Sequence, residues 1–428
     1  KIDDPKNIPD KIENVDLVSN KFDQKTNAYF GWFVLCGVGL VQLVSNASGS
    51  LNLSIFIVPM SADLGFSRTL FSGAISAGSV LAALFSIPIG FLFDLRKTRQ
   101  VLIASVILMA AATYSMSLIN EWILLYLLIS ITRMLFTTPM MVGGSVIVSK
   151  WFMLKRGRAN GILYAFHSIG MIVFPVFGAL FIVSFGWRDS WVYLSYIVLL
   201  ALLPVLIFVY EEPKELKIEG HYDADLSNLN MDFSLREALN TKALWIIAFG
   251  TGILYLFHSG INSHQAAFLQ ERGISLGLSS LVISINAIST GLGSVFWGYI
   301  CDKFSIKYAF SSVFACSLIA LLLLIYTNEI NLAILSAVFF GAAMGGMLTV
   351  PAVGYATYFG TNSLGKIRGF TNPLSTAGAA SGVMVSGIFY DIYGSYVNAF
   401  WLYFIISILM LIVSLFLNKP SIKNQNHY

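Results

Sequence analysis

Twelve apolar stretches, each near the length that crosses a lipid bilayer, leave this chain few folds to choose from. They run over 29–59, 68–92, 100–119, 122–149, 157–184, 190–210, 243–269, 276–299, 306–326, 330–358, 367–390 and 396–417. A helix rising about 1.5 Å per residue needs about 20 apolar residues to pass a hydrocarbon core of about 30 Å. Inside that core the backbone has no water to bond, so each stretch must satisfy its own amides as a helix. Only 11% of the 428 residues are charged, against about 25% in a soluble domain. Too few charges remain to cover a water-facing surface, which excludes a soluble enzyme, a nucleic-acid binder and a disordered scaffold. The expected fold is an all-α membrane protein.

Charge placement sets the expected orientation, because cytoplasmic loops hold the excess of Lys and Arg. With the N-terminus inside, the inner loops carry Arg96, Lys97 and Arg99; Lys150, Lys155, Arg156 and Arg158; Lys303 and Lys307; and Lys366 and Arg368. The outer loops carry only Arg68, Arg188 and Arg272. Both termini are therefore expected in the cytosol of a multi-pass protein of the cell membrane. Residues 1–28 read as a polar N-terminal tail, 29–210 as one six-helix bundle, 211–242 as a charged linker, 243–417 as a second bundle and 418–428 as a C-terminal tail. The net charge of +4 sits in short loops and tails and is no nucleic-acid footprint. Cys36, Cys301 and Cys316 show no metal-ligand spacing and read as small apolar residues.

The two halves repeat. Gly90-Phe91-Leu92-Phe93-Asp94-Leu95-Arg96 recurs as Gly298-Tyr299-Ile300-Cys301-Asp302-Lys303 at an offset of 208 residues, and the same offset carries Gly65 onto Gly273, Gly161 onto Gly369 and Gly186 onto Gly394. Parallel repeats related by an axis along the membrane normal place a substrate between halves that rock. Gly90 and Gly298 allow close helix contact. Asp94 and Asp302, with Arg96 and Lys303 beside them, can pair with cations or cap helix ends, forming latches that must break on opening. Plain loop capping without gating is the other reading.

With this element present twice in register, the chain resembles the major facilitator superfamily across all twelve spans. That resemblance implies a transporter of two pseudo-symmetric six-helix bundles working by alternating access. Trp151-Phe152-Met153-Leu154-Lys155-Arg156-Gly157-Arg158-Ala159-Asn160-Gly161-Ile162 resembles the fifth-helix signature of the monocarboxylate porter and oxalate/formate antiporter branches. Tyr29-Phe30-Gly31-Trp32 is similar to their first-helix start. Those branches place a basic residue in the eighth helix, and the oxalate type another in the eleventh. Here none lies between Gly277 and Tyr299 or between Gly369 and Tyr390, which argues against a dianion such as oxalate. Asn286, Ser289 and Thr290, with Asn372, Ser375 and Thr376, offer neutral hydrogen bonds instead.

Embedded ionisable residues mark function, because a charge at the bilayer centre costs at least about 2.5–3.5 kcal/mol. Arg133, eleven residues into the fourth stretch, lies roughly 16 Å deep. No Asp or Glu lies in any span interior, so a carboxylate cargo would complement the guanidinium bidentately. Arg133 also matches a superfamily Arg that bonds backbone or tunes coupling, and that reading stays open. Tyr126, Ser130, Arg133 and Thr137 form one helical stripe, and Tyr255, His258, Asn262 and Gln265 another. Gln42, Ser45, Asn46, Ser48 and Asn52 add polar groups to the first helix. The resemblance implies that the first, fourth, seventh and tenth helices line the cavity, with Tyr355 among its aromatics. A proton carrier would be His258, His167 or the substrate itself, since His titrates near neutrality. His258 could equally make a packing hydrogen bond.

The reading is a secondary active transporter moving a small organic monoanion with a proton. Arg133, His258, Asn262, Gln265, Asn46, Tyr126, His167 and Tyr355 are its candidate substrate residues. An exporter or exchanger of amphipathic compounds, and a transporter-like receptor without turnover, are the alternatives. No phosphate loop, HExxH, catalytic carboxylate pair or nucleophile elbow is present. No cofactor, metal or enzyme chemistry is expected. The partners are the lipid bilayer, the anion and the proton, not nucleic acid, and the unit is a monomer.

Overall fold

The computed structural model describes residues 30–66, 68–95, 97–152, 155–209 and 232–420. The tails expected at 1–28 and 418–428, most of the linker and Arg96 therefore lie mainly or wholly outside the described residues. Helix α1 runs over Phe30–Ser48 and continues as Ser50–Leu64; α2 is Arg68–Asp94, α3 is Thr98–Leu118 and α4 is Trp122–Trp151. Helices α5 (156–185) and α6 (187–208) are joined directly at Gly186. The second half holds α7 Lys242–Glu271, α8 Leu276–Lys303, α9 Ile306–Ile325, α10 Ile330–Phe359, α11 Leu364–Tyr393 and α12 Val397–Ser414. Among the described residues, ten helical stretches are long and apolar enough to cross a membrane. One of them, Arg156–Phe208, is 53 residues long and turns at Gly186, which is length enough for two passes. The more polar α11, 30 residues long, completes twelve.

The 208-residue offset is a geometric identity. Gly65 and Gly273 have φ of 69° and 80°, and Gly186 and Gly394 have φ of 80° and 66°. Positive φ is cheap only for glycine, so each repeated pair marks a chain reversal in its half, although Gly394 is a left-handed helix cap at ψ 16° and Gly186 is extended at ψ 169°. The Gly186 turn has no separate loop, because a single residue at φ 80°, ψ 169° redirects the chain.

Two helices depart from regular geometry, and one side chain links the departures. In α1 the short polar side chains compete for backbone carbonyls. Ser45 Oγ donates to the Gln42 carbonyl at 2.8 Å, Asn46 Nδ2 to the same oxygen at 3.0 Å and Asn52 Nδ2 to the Ala47 carbonyl at 2.5 Å. The helix tightens over Asn46–Ser48 and breaks at the extended Gly49. In α4 a π-helical stretch, Phe136–Val142, surrounds Pro139, which lacks an N–H and frees a carbonyl. Gln42 Nε2 crosses from α1 to donate to the carbonyls of Met140 (3.3 Å) and Met141 (3.0 Å). Gln42→Leu removes both bonds, leaving the Met140 carbonyl with the Gly143 N–H alone, at about 1–3 kcal/mol. A lower thermal midpoint in detergent is expected, and an unchanged one contradicts this role.

The halves meet along two helix pairs, α2 with α11 and α5 with α8. Both seams are built of glycine. A Cβ on Gly157 would land on the Gly298 carbonyl oxygen, and one on Gly90 on that of Gly365. The seams lie towards the end of the molecule that carries Phe30, Val209 and Lys419, here called the tail face. The second part of α1 packs mainly on α5, and α7 on α11, α12, α10 and α8. Neither has a principal partner in the other half, so packing between the halves is lightest towards the distal face, the side called the cleft below. At the described end of the linker, Phe233 N–H donates to the Phe359 carbonyl at 2.9 Å. A short helix, Leu235–Leu239, follows with a Ser234–Glu237 capping box. The Ser234 hydroxyl and its N–H hold the Glu237 carboxyl below its ordinary value.

Candidate functional site

Each latch aspartate crosses to the other half. Asp94, at the end of α2, accepts the N–H of Gly365 and of Lys366, both at 2.9 Å, at the start of α11. Asp302, near the end of α8, accepts the N–H of Gly157 (2.7 Å) and of Arg158 (3.0 Å) at the start of α5. Acceptors and donors are again related by 208 residues. The first N–H groups of a helix have no partner within it, and the helix dipole favours negative charge there. Two carboxylates thus cap the two helices that the opposite half presents at the seam. Arg158 Nε adds an ion pair to Asp302 at 3.5 Å. Lys303, grouped with the latch from sequence, instead lies over the Tyr299 ring at 4.6 Å.

Three basic residues expected as loop anchors turn out to be seam residues. Arg156 donates through Nε to the carbonyls of Ser149 and Phe152, both at 3.1 Å, and through Nη1 across the seam to the Ala356 carbonyl on α10 at 2.9 Å. Arg158 belongs to the Asp302 cap. Arg368 lies inside α11, which begins at Leu364. Its Nη1 donates to Ser145 Oγ on α4 at 2.6 Å. Ser145 donates in turn to Asn160 Oδ1 at 2.8 Å, and Asn160 Nδ2 donates to Ser149 Oγ at 2.9 Å. Arg368 also lies within electrostatic range of the hydroxyls of Tyr255 and Tyr355. A window opening at Gly369 missed it by one residue. The polar partners, Asn160 within the basic signature and Ser145 six residues before it, were the available signal.

The other sequence candidates fall into separate places. Arg133 lies between α4 and α2, its stem against Gly78. Tyr126 sets its hydroxyl on Gly73 of α2 and its ring edge-on to Trp122. Asn46 and His167 meet at the break in α1, with Asn46 Nδ2 3.1 Å from His167 Nδ1 and 3.3 Å from the His167 carbonyl. Tyr355 bonds to Thr371 and Thr251.

The α7 stripe does not act as one face. His258 is buried between the rings of Phe257 (4.2 Å) and Phe340 (4.6 Å), with Nδ1 2.9 Å from the Leu254 carbonyl. Its aromatic neighbours and local backbone bond place it in the α7–α10 packing. Asn262 is exposed, and it meets Asn286 of α8 and, more distantly, Met344 of α10. Gln265 is buried beside the same Asn286. Among the described residues, no group of His, Cys, Asp and Glu could hold a metal.

The sequence model of the Major Facilitator Superfamily matches residues 38–375 and 247–428. This chain belongs to that superfamily of transporters. Similar curated proteins include YcxA, an uncharacterized MFS-type transporter of Bacillus subtilis, 19% identical over 425 residues that cover 94% of this chain and 99% of YcxA. The sialic acid transporter NanX of Escherichia coli is 24% identical over 260 residues, covering 59% of this chain and 61% of NanX. Among solved structures, the transporter FucP in its outward conformation aligns over 90% of this chain and 98% of its own, with TM-score 0.69 at 16% identity. The likeness to FucP shows the fold.

Proposed function

We propose that this transporter carries a small organic monoanion together with a proton, by alternating access between the distal and tail faces. The moving units are 29–210 and 243–417, joined by 211–242, with both termini and the tail face in the cytosol. One chain supplies both sides of the path, so the monomer is the working unit.

One observation carries the anion: the Arg368 guanidinium, set among Tyr255, Tyr355 and Ser145 where the halves meet, has a neutral hydroxyl as its hydrogen-bond partner. Among the described residues no carboxylate forms an ion pair with it. A carboxylate entering from the distal cleft provides the charge-assisted pair that a serine cannot. Arg133, half-buried on α4 against Gly78 of α2, is a second embedded positive charge. The similarity to NanX, a sialic acid transporter, also points to an acid as cargo. For the proton, His167 is better placed than His258, because its Asn46 partner sits at the break where α1 can change shape. The latches at Asp94 and Asp302 release when the loaded cleft closes.

The test is uptake of a labelled carboxylic-acid panel into proteoliposomes, with and without an inward proton gradient. Gradient-driven accumulation is expected. Loss of one charge-assisted bond, about 1.5–3 kcal/mol, raises KM roughly 10- to 100-fold in Arg368→Gln, and Arg133→Gln weakens uptake as well. Thermal midpoints show that the variants remain folded. Uptake of no acid, or uptake unaffected by Arg368→Gln, contradicts the reading.

A further inference from the structure

We propose that Asn262, Gln265 and Asn286 form a hydroxyl-binding subsite in the wall of the cleft, so that the cargo is a hydroxylated organic acid and not a plain fatty acid. This rests on the acid-transport reading above and names the substrate class more narrowly.

The three amides are incompletely satisfied. Asn286 Nδ2 donates to Asn262 Oδ1 at 3.2 Å and to Gln265 Oε1 at 3.4 Å. Asn262 Nδ2 has only a thioether, Met344 Sδ at 3.6 Å. Gln265 Nε2 and Asn286 Oδ1 are left buried with no hydrogen-bond partner, on side chains 1% and 3% exposed. Each such atom costs about 1–3 kcal/mol. The vacancy is one donor beside one acceptor. A carboxylate can only accept and an ammonium can only donate, whereas a hydroxyl does both at once. The chemistry left open in this cluster is therefore that of an alcohol.

The cluster also faces the right way. Asn262 is exposed about two-thirds of the way along α7, within its apolar span Lys242–Gln265, where contact with lipid would leave an amide unpaired in hydrocarbon. Its neighbours are on α8 and α10, and α8 is the helix on which α5 of the other half packs. The exposed amide thus looks into the cleft between the halves. Along α7 it lies seven residues beyond Tyr255, roughly 10 Å, and Tyr255 is the α7 residue in range of Arg368. A six-carbon acid with a hydrogen bond of about 2.8 Å at each end covers the rise from the level of Tyr255 to that of Asn262. Its carboxylate would sit at Arg368 and its far hydroxyls at the amides.

Gluconate and hexanoate make a matched pair, with the same chain length and charge and with or without hydroxyls. In proteoliposomes under a proton gradient, wild type is expected to take up gluconate with a KM at least about 10-fold lower, the worth of roughly one hydrogen bond. Asn286→Leu and Gln265→Met, which keep the volume, are expected to move the gluconate-to-hexanoate KM ratio towards one. Equal KM values in wild type overturn the proposal. So do variants that slow both acids in proportion, the signature of a polar cluster serving packing or a trapped water only. If neither acid is taken up, the acid reading fails. The subsite is then decided by the neutral hexitol sorbitol: a thermal midpoint raised by sorbitol and not in Asn286→Leu supports it, and no rise overturns it.

Discussion

Replacing Asp94 and Asp302 together by Asn is expected to open the tail face and to lower transport about 100-fold. Each carboxylate accepts two backbone N–H groups from a helix start of the other half. Bonds to a charged acceptor are worth about 1.5–3 kcal/mol, and neutral ones about 0.5–1.5. An Asn side chain retains one acceptor oxygen where the carboxylate had two, so each latch loses roughly 2 kcal/mol by the same scale. Two latches together shift the balance between tail-closed and tail-open states by a factor on the order of a thousand. A transporter that rarely opens its distal cleft cannot load there. Single variants fall between, because the symmetry-related latch still holds. A double variant that is folded and transports like wild type contradicts the role given to these aspartates.

A second large effect is expected at the glycine seam. Gly298→Val places a Cβ against the Gly157 carbonyl oxygen, and the obstacle is backbone on a rigid helix, not a side chain that can turn aside. The α5–α8 approach that closes the tail face is then blocked, and uptake falls to near background. Gly90→Val meets the Gly365 carbonyl in the equivalent way and should behave alike. The control is Gly387→Val, also on a glycine of α11 but with nothing within 4 Å of the new Cβ. It is expected to transport normally. Normal transport by Gly298→Val would mean that the seam is not a closed gate.

Much of this was legible because membrane helices and sequence repeats leave local marks. The twelve spans follow from apolar length. The offset of 208 located the turns at Gly65, Gly186, Gly273 and Gly394, and the same offset relates Asp94 to Asp302 and Gly365 to Gly157. What local patterns cannot carry is which residues meet across the halves. Arg156 and Arg368 look like loop cations until α5 is seen to start at Arg156 and α11 before Arg368. Helical spacing put His258 on one stripe with Asn262, but spacing does not say that Phe257 and Phe340 enclose the ring. The break in α1 was hidden because Asn46, Ser48 and Gly49 sit within an otherwise apolar run. Its partner, the π stretch of α4, has only Pro139 as a sign. Asn286 was noted as a neutral donor, whereas its junction with Asn262 and Gln265 needed the packing of α7 on α8.

The account depends on the α5–α8 seam opening and closing during turnover, and a native thiol reports on it. Cys301 is buried at that seam, its Cβ 3.0 Å from where a Cβ on Gly157 would lie. With the exposed Cys36 and the half-buried Cys316 replaced, a water-soluble maleimide added at the tail face reads Cys301 alone. Slow labelling is expected at rest, with fast labelling during turnover and also in Asp94→Asn/Asp302→Asn without cargo. A Cys301 equally reactive in all three conditions, or protected throughout turnover, would contradict the alternating-access account.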